Sequence, residues 1–245
     1  MAGLAFRQAP VLDQREVRRG VFVLRVGGEF RAKPGQFFIL RAWELYPLLG
    51  RPMSVFDLSS DSLSFAYAVR GEGTRALSRL RPGDVLWLLG PLGNGWTRAV
   101  GKVALVGGGI GLAPLLFTAK VFGPPLDLFL GFRDEPFLLE EFPDFARVHV
   151  ASERGGPPGV FQGLVSEMFE PQGYAAVYAC GPRAMLEALY QKCRQARVPL
   201  YVSLEERLAC GIGACLGCTI FTKKGPARLC REGPVFLAEE IFHGA

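Results

Sequence analysis

The pattern of hydrophobic and polar positions changes at about residue 98. Before this point, short runs in which apolar and polar residues alternate are separated by turn sequences such as Lys33-Pro34-Gly35 and Arg81-Pro82-Gly83. Alternation with a period of two is typical of strands that bury one face. Strands at this spacing predict a small antiparallel β-barrel. The predicted strands cover residues 20–26, 36–41, 63–69 and 84–89.

After Lys102, apolar runs of strand length alternate with longer helical segments, which is typical of a parallel sheet with crossover helices. The predicted strands cover residues 103–106, 126–131, 147–151, 175–179 and 199–203, and the helices residues 112–122, 163–170 and 182–197. The rest is rich in Gly and Cys and has no helical period, so we expect it to be ordered by what its cysteines bind. The predicted organisation is a barrel (1–98), an α/β domain (99–202) and a small cysteine-rich segment (203–245).

The composition is that of a globular protein. The 245 residues are 49% hydrophobic and 21% charged, which argues against a disordered chain. The longest uncharged stretch, residues 103–119, is interrupted by glycines and a proline and is a poor membrane span. The first residues lack the layout of a secretory signal, so we expect a cytoplasmic protein that binds no membrane. The net charge of +5 is scattered, which favours a dispersed positive surface over nucleic-acid binding.

Four of the six cysteines are concentrated near the end of the chain, with the spacing C-x4-C-x2-C-x11-C. Clustered cysteines in a cytoplasmic chain indicate metal before disulfide. Structural zinc and an iron–sulfur cluster are the main alternatives, and four unliganded thiols are a third. Zinc sites usually show two short cysteine pairs, whereas this spacing is the plant-type layout of [2Fe–2S] proteins. The candidate ligands are Cys210, Cys215, Cys218 and Cys230.

A glycine-rich turn follows the first strand of the predicted parallel sheet. Gly107, Gly108, Gly109 and Gly111 lie between that strand and a helix, where backbone N–H groups can approach a pyrophosphate. Glycines in such a turn can also serve close packing. Asp134 and Glu135 follow the second strand, where a carboxylate would favour NAD over NADP, although a solvated charged turn beside Arg133 is an equal alternative.

Two motifs in the barrel connect the predicted domains to one family of proteins. Arg51-Pro52-Met53-Ser54 is followed by Tyr67-Ala68-Val69 and then by Gly73-Thr74. Alone they read as a turn and a glycine-bounded loop. Together with the glycine turn they resemble the flavin-binding signature of the ferredoxin reductase superfamily, in which an FAD-binding barrel precedes a nicotinamide-binding domain. Cys180-Gly181-Pro182 matches the Cys-Gly-Pro motif that the superfamily has near the nicotinamide.

The cysteine-rich segment narrows the resemblance. Residues 202–215 and 230–236 look like the electron-transfer subunits of class 1B, NAD-dependent dihydroorotate dehydrogenases, and the resemblance covers nearly the whole chain. It implies three cofactors, namely FAD, NAD and a [2Fe–2S] cluster. It places Arg51, Pro52 and Ser54 at the isoalloxazine and ribityl region, and Met53 in this motif replaces the more usual aliphatic residue. It also places Tyr67, Ala68 and Val69 along FAD, Gly73 and Thr74 at its pyrophosphate, and the four clustered cysteines on the metal.

The resemblance also implies an electron relay in pyrimidine (UMP) biosynthesis. A partner subunit that contains FMN would oxidise dihydroorotate, and electrons would reach NAD⁺ through the cluster and FAD, in a heterotetramer with two copies of each subunit. This chain then needs no catalytic base, and we expect no catalytic role for His149 or His243.

Two other functions remain open. One is the FAD and iron–sulfur subunit of another NAD(P)H-linked oxidoreductase, such as a sulfhydrogenase or a ferredoxin:NADP oxidoreductase, although the latter typically has Asp where this chain has Cys210. The other is a zinc-stabilised regulator without flavin.

Overall fold

The computed structural model describes residues 5–242. An antiparallel sheet of seven strands forms the N-terminal half, in the order β4-β3-β7-β1-β2-β6-β5. Its strands are β1 (Ala5–Arg18), β2 (Val21–Gly27), β3 (Phe37–Arg41), β4 (Arg51–Ser54), β5 (Asp57–Leu58), β6 (Ser62–Ala68) and β7 (Val85–Leu92).

The sheet curls because its two edge strands, β4 and β5, follow one another along the chain. Only Val55 and Phe56 separate them, and the backbone N–H groups of these two residues donate to carbonyl groups on opposite sides of the sheet, at Gln36 and Ser64. The inward-facing residues fill the resulting half-barrel, among them Leu24, Leu40, Leu63, Phe65 and Leu88, all of which are fully buried. The predicted antiparallel barrel is therefore confirmed as a curled sheet.

The second sheet also has seven strands, in the order β11-β10-β9-β8-β12-β13-β16. All neighbouring strands are parallel except β16, which is antiparallel to β13. This confirms the predicted α/β domain and adds two edge strands to it. The strands are β8 (Val103–Gly108), β9 (Leu126–Phe132), β10 (Arg147–Ser152), β11 (Phe161–Gln162), β12 (Ala176–Cys180), β13 (Leu200–Ser203) and β16 (Val235–Leu237).

Most of the helices are short, and two of the three predicted ones are found with nearly the predicted length. The predicted helices at 112–122 and 182–197 agree closely with the structure, whereas the one at 163–170 is reduced to a single turn. A helix after β6 was not predicted, since Gly71 and Gly73 suggest only a turn. The helices are α1 (Glu72–Leu77), α2 (Ala113–Phe122), α3 (Val165–Met168), α4 (Arg183–Ala196) and α5 (Ala238–Ile241), with 3₁₀ turns at Gly109–Leu112 and Leu139–Glu141.

The cysteine-rich segment contributes a strand to the second sheet and contacts the barrel. A hairpin of β14 (Thr219–Thr222) and β15 (Gly225–Arg228) follows the first three clustered cysteines. The chain then returns as β16, the seventh strand of the second sheet, and α5 packs against the same sheet. Asn94, just after β7, holds the returning chain by four hydrogen bonds to residues 232–235. The domain boundaries at 98 and 202 remain predictions.

Among the described residues, no helix combines the length and the apolar character needed to cross a bilayer. His243 lies outside the described part of the chain. His149 stacks face to face on Phe129, with ring centroids 4.6 Å apart, and burial lowers its pKa, as expected of a packed and uncharged ring.

Candidate functional site

A cavity of about 350 Å³ opens between the barrel and the cysteine-rich segment. Its walls contain most of the barrel residues that the sequence singles out. Val69 and Gly73 are the two that do not line it. The predicted residues that do are Arg51, Pro52, Met53, Ser54, Tyr67, Ala68 and Thr74.

Arg51 and the start of α1 are packed closely together. A Cβ atom at Gly73 would lie 2.3 Å from Nε of Arg51, so only glycine permits this approach. The Thr74 hydroxyl donates to the carbonyl of Gly71 and accepts from the N–H groups of Arg70 and Gly71, at 2.9–3.1 Å. Gly73 therefore leaves room for the Arg51 guanidinium, and Thr74 fixes the turn. The predicted binding of a pyrophosphate by Gly73 and Thr74 would depend on this turn and not on the Thr74 hydroxyl, which is already hydrogen-bonded to the backbone.

A second, larger cavity of about 1090 Å³ lies at the carboxyl ends of the parallel strands. This is the edge at which open α/β sheets bind nucleotides. Five of the residues that the sequence predicts for nicotinamide binding line it. They are Gly108, Gly109, Gly111, Gly181 and Pro182.

The glycines of the turn after β8 have different roles. A Cβ atom at Gly111 would lie 2.3 Å from the carbonyl oxygen of Cys180, and one at Gly108 would lie 2.7 Å from Sδ of Met185. A Cβ atom at Gly107 would lie 2.8 Å from Leu115, and Gly107 does not line the cavity. Gly109 alone faces open space, and its φ of +54° favours glycine. Packing thus accounts for three of the glycines, and Gly109 is free to face a ligand.

Cys180 itself is buried beneath this cavity and does not line it. Burial raises the pKa of its thiol well above the usual value; the nearby Glu205 carboxylate raises it further, and a hydrogen bond with Ser203 opposes both. The thiol is therefore neutral, and the backbone of Cys180 supports the glycine turn.

Asp134 and Glu135, which the sequence suggests for a ribose contact, do not line this cavity. Asp134 forms ion pairs with Arg154 at 2.7 Å and with Arg18 of the barrel at 3.7 Å, and the Glu135 carbonyl accepts from Arg18. The two contacts of Arg18 join the barrel to the α/β domain. At this side of the cavity the wall contains a different carboxylate, Glu153, directly after β10, together with Arg133.

The two cavities meet at Arg70, Ile110, Leu204, Glu205 and Glu206, which line both. Burial between the cavity walls raises the pKa of Glu205, and the Arg70 guanidinium opposes this, while solvent in the cleft still reaches the side chain. Leu204, Glu205 and Glu206 lie in the stretch 202–215 that carries the family resemblance, but sequence reasoning gave none of the five residues a role at a cavity. Position in the sheet could have indicated Glu205, because it follows β13, the strand next to β12, at the carboxyl edge where nucleotides bind.

The four clustered cysteines lie as two pairs. The N–H of Cys215 donates to Sγ of Cys210 at 3.4 Å, and the thiols of Cys218 and Cys230 are hydrogen-bonded to each other. Within residues 5–242, no three His, Cys, Asp or Glu side chains already surround one metal position. The role of the four as ligands remains a prediction.

The loop around these cysteines has the chemistry that an iron–sulfur cluster requires. Burial acts to raise the pKa of Cys210, but the N–H groups of Cys215, Ile212 and Ala214 point at its sulfur and hold the pKa below its usual value. Gly211 and Gly213 have positive φ angles of 73° and 80°, which allow the chain to wrap tightly. Four sulfur donors, three of them on this loop and one after β15, together with the N–H groups that point at Cys210, fit a thiolate-ligated cluster.

Cys218 and Cys230 are buried in an apolar cluster against the outer face of the barrel, together with Phe37, Ile39, Leu92 and Leu229. Gly211 also contacts this face, since a Cβ atom there would lie 2.6 Å from Ile39. Phe37 and Leu229 line the barrel cavity as well, and Leu208 and Leu204 are common to both regions. A single layer of side chains therefore separates the buried cysteines from the barrel cavity.

Comparison with known proteins agrees with this geometry. Residues 205–242 match the family model described as the iron–sulfur cluster binding domain of dihydroorotate dehydrogenase B. The chain is 42% identical to the dihydroorotate dehydrogenase B (NAD(+)) electron transfer subunit of Clostridium acetobutylicum, over 95% of each chain. It is also 42% identical to the subunit of the same name from Caldanaerobacter subterraneus, over 96% of this chain and 98% of the relative.

Solved structures support the fold. The NADH-dependent reduced ferredoxin-NADP oxidoreductase superposes with a TM-score of 0.86 at 27% identity, covering 98% of this chain and 91% of that one. The ferredoxin reductase of carbazole 1,9a-dioxygenase has a TM-score of 0.69 at 21% identity, over 81% of this chain and 69% of that one, and shares the fold. With relatives this similar along almost its entire length, the chain belongs to the family of electron transfer subunits of NAD(+)-dependent dihydroorotate dehydrogenase B.

Proposed function

We propose that this chain accepts electrons at its cysteine-rich segment and delivers them to NAD⁺ at the carboxyl edge of its parallel sheet. It does so as the electron transfer subunit of a dihydroorotate dehydrogenase complex. The observation that carries the proposal is the shared wall of Phe37, Leu208 and Leu229, which places the cysteines directly beside the barrel cavity. That cavity in turn opens into the larger one, so the three sites form a continuous series.

The chemistry comes from three groups: an iron–sulfur cluster that carries single electrons, an FAD that converts single electrons into a hydride, and an NAD⁺ that accepts the hydride. The residues of this chain hold these groups in sequence. Cys210, Cys215, Cys218 and Cys230 would hold the cluster, which we take to be [2Fe–2S] from their spacing.

The barrel cavity would bind FAD. Arg51 presents a guanidinium beside the turn of Gly73 and Thr74, which suits a pyrophosphate, while Pro52, Met53 and Tyr67 give an apolar wall for a ring system. The larger cavity would bind NAD, with Gly109 facing the pyrophosphate and Glu153 facing the ribose. A carboxylate there favours NAD, because it would repel the 2′-phosphate of NADP.

The partner would be the catalytic subunit of the same complex, which would contain FMN and oxidise dihydroorotate. Two copies of each subunit form the proposed assembly, which we place in the cytoplasm because clustered cysteines that bind a metal are typical of a reducing compartment. Identity favours this assignment over a ferredoxin:NADP oxidoreductase, since the curated relatives reach 42% and the solved oxidoreductase 27%.

The test is anaerobic purification of the chain with and without its partner, followed by visible and EPR spectroscopy. We expect flavin and iron–sulfur signals in the chain alone, NADH oxidation with an artificial acceptor, and dihydroorotate oxidation only with the partner present. Cys218→Ser should lose the cluster signal and coupling to the partner but keep FAD and NADH oxidation. A zinc-containing, colourless protein, or dihydroorotate turnover by the isolated chain, would contradict the proposal.

A further inference from the structure

Arg228 stands at the end of β15, two residues before Cys230, and joins three parts of the cysteine-rich segment. Its Nη1 donates to the carbonyl of Gly213, on the loop that carries Cys210 and Cys215, at 3.1 Å. Its Nε and Nη2 donate to both carboxylate oxygens of Glu232 at 3.1 Å and 2.6 Å. This is the bidentate geometry that fixes a guanidinium most firmly.

Glu232 completes the arrangement from the other side. One of its carboxylate oxygens also accepts the backbone N–H of Arg228 at 2.7 Å. The loop, the strand and the turn after Cys230 are thereby held around one ion pair. Gly213 is confined as well, since a Cβ atom there would lie 3.3 Å from Nη1 of Arg228 and 3.1 Å from the Arg231 side chain.

The charge of Arg228 acts on the cysteines that it lies beside. Arg228 is two residues from Cys230, and its guanidinium is bound to the loop that carries Cys210 and Cys215, so its positive charge lies at the edge of the four-cysteine site. Arg231 is the other cation at this loop, and Glu232 is the anion paired with Arg228. Because the guanidinium is only partly exposed, its field is screened less than that of a surface arginine.

We propose that the Arg228–Glu232 pair sets the reduction potential of the iron–sulfur cluster and holds the ligand loop closed. This inference rests on the proposed function, since it requires a cluster on the four cysteines. Reduction adds one electron and therefore one negative charge between the cysteines. The positive charge of Arg228 stabilises that reduced state and raises the potential, and the negative charge of Glu232 lowers it. The pair is a positioning and tuning device that does not itself carry electrons.

The two members of the pair consequently have opposite effects on the potential. Arg228→Met removes a positive charge and should lower the midpoint potential of the cluster. Glu232→Gln removes the partner's negative charge and should raise it. A purely structural role gives a different result, because either substitution breaks the same ion pair and would loosen the loop in the same way.

The experiment is an EPR-monitored redox titration of the cluster in the complete chain with FAD bound. We expect each single variant to change the equilibrium constant of the one-electron couple about threefold in opposite directions, which at 59 mV per tenfold is about 30 mV. The double variant Arg228→Met/Glu232→Gln should lie within about twofold of the wild type, yet lose its cluster to a chelator several times faster. Arg25→Met, on β2, removes the same charge from an exposed position and should change neither property.

The outcomes separate this inference from the proposed function. If the wild type shows no iron–sulfur EPR signal, the proposed function fails. If the wild type has the signal but both single variants shift the potential in the same direction, or neither shifts it, only the role of the pair is refuted. FAD content is measured in each variant, so that a folding defect is recognised as such. If Arg228→Met does not retain FAD, Glu232→Gln and the double variant decide the question.

Discussion

Asn94 joins the barrel to the cysteine-rich segment through its side chain, and replacement by alanine removes three hydrogen bonds at once. Its Nδ2 donates to the carbonyls of Glu232 and Val235 at 2.9 Å and 2.8 Å, and its Oδ1 accepts from the Val235 N–H at 3.0 Å. Each such bond contributes about 0.5–1.5 kcal/mol net. Since Asn94 is only half-buried, water replaces part of what is lost, and we expect a destabilisation near the lower end, about 2 kcal/mol.

The loss should act on the cysteines as well as on global stability. The chain that Asn94 holds runs on directly from Cys230, and Leu229 and Pro234 line the barrel cavity. We expect Asn94→Ala to lower the melting temperature by about 4–8 °C, at roughly 2–4 °C per kcal/mol for a chain of this size. Cluster absorbance should bleach faster in the presence of a chelator. Thermal unfolding and a chelator time course, both on the complete chain, measure the two effects.

Two further variants make the reasoning refutable. Asn94→Asp keeps the acceptor but turns a carboxylate toward two carbonyl oxygens, so it should destabilise more than alanine does. Ser78→Ala removes a single exposed hydrogen bond to Arg75 and should cost less than about 0.5 kcal/mol. A melting temperature of Asn94→Ala equal to that of Ser78→Ala, or an aspartate variant more stable than the alanine variant, would show that this junction does not hold the segment.

Four other substitutions test the nucleotide-binding edge of the parallel sheet. Gly111→Ala forces a methyl group to within 2.3 Å of the Cys180 carbonyl and should cost about 1–3 kcal/mol in thermal unfolding without NAD, whereas Gly109→Asn keeps the positive φ and should cost less. Glu205→Gln should become more stable relative to the wild type as the pH rises above about 4.3, the usual value for Glu. The folded state, in which the pKa of Glu205 is raised, holds the Glu205 proton more tightly than the unfolded chain, so the stability of the wild type falls as the pH rises through that range. If urea unfolding gave the same difference in stability between variant and wild type at pH 4.5 and at pH 7.5, this reasoning would be contradicted. Glu153→Arg should reduce the preference for NADH over NADPH by at least about tenfold in kcat/KM, and an unchanged ratio would place the ribose elsewhere.

The sequence predicts the fold well where local periodicity and packing agree. The parallel strands and α4 have apolar faces of the right period, and they appear where they are expected. β1 was missed because its outward face is rich in charged and polar residues, so the strand is specified by its partners β2 and β7 rather than by its own alternation. The strand Arg51–Ser54 was read as a turn for a similar reason, since its pairing with β3 comes from the curl of the sheet.

Site residues that belong to a sequence motif could be predicted, whereas residues that only the fold brings to the cavities could not. The glycine turn and Cys180-Gly181-Pro182 are separated in sequence, but their spatial meeting follows from the pairing of β8 with β12. Glu153 belongs to no motif, and only the three-dimensional arrangement brings it to the larger cavity. Glu153 lines the cavity where Asp134 was expected for the same reason, because ion pairs with Arg154 and with Arg18 of the barrel occupy Asp134.

The return of the chain as β16 has a consequence for how this segment is attached. Residues 204–234 are enclosed between β13 and β16, two neighbouring strands of one sheet, so the cysteine-rich segment is topologically an insertion and not a tail. Both of its ends are fixed to the same rigid edge. Separation of the segment by proteolysis would require two cuts, and a deletion from the C-terminus would reach the nucleotide sheet before it reached any of the four cysteines.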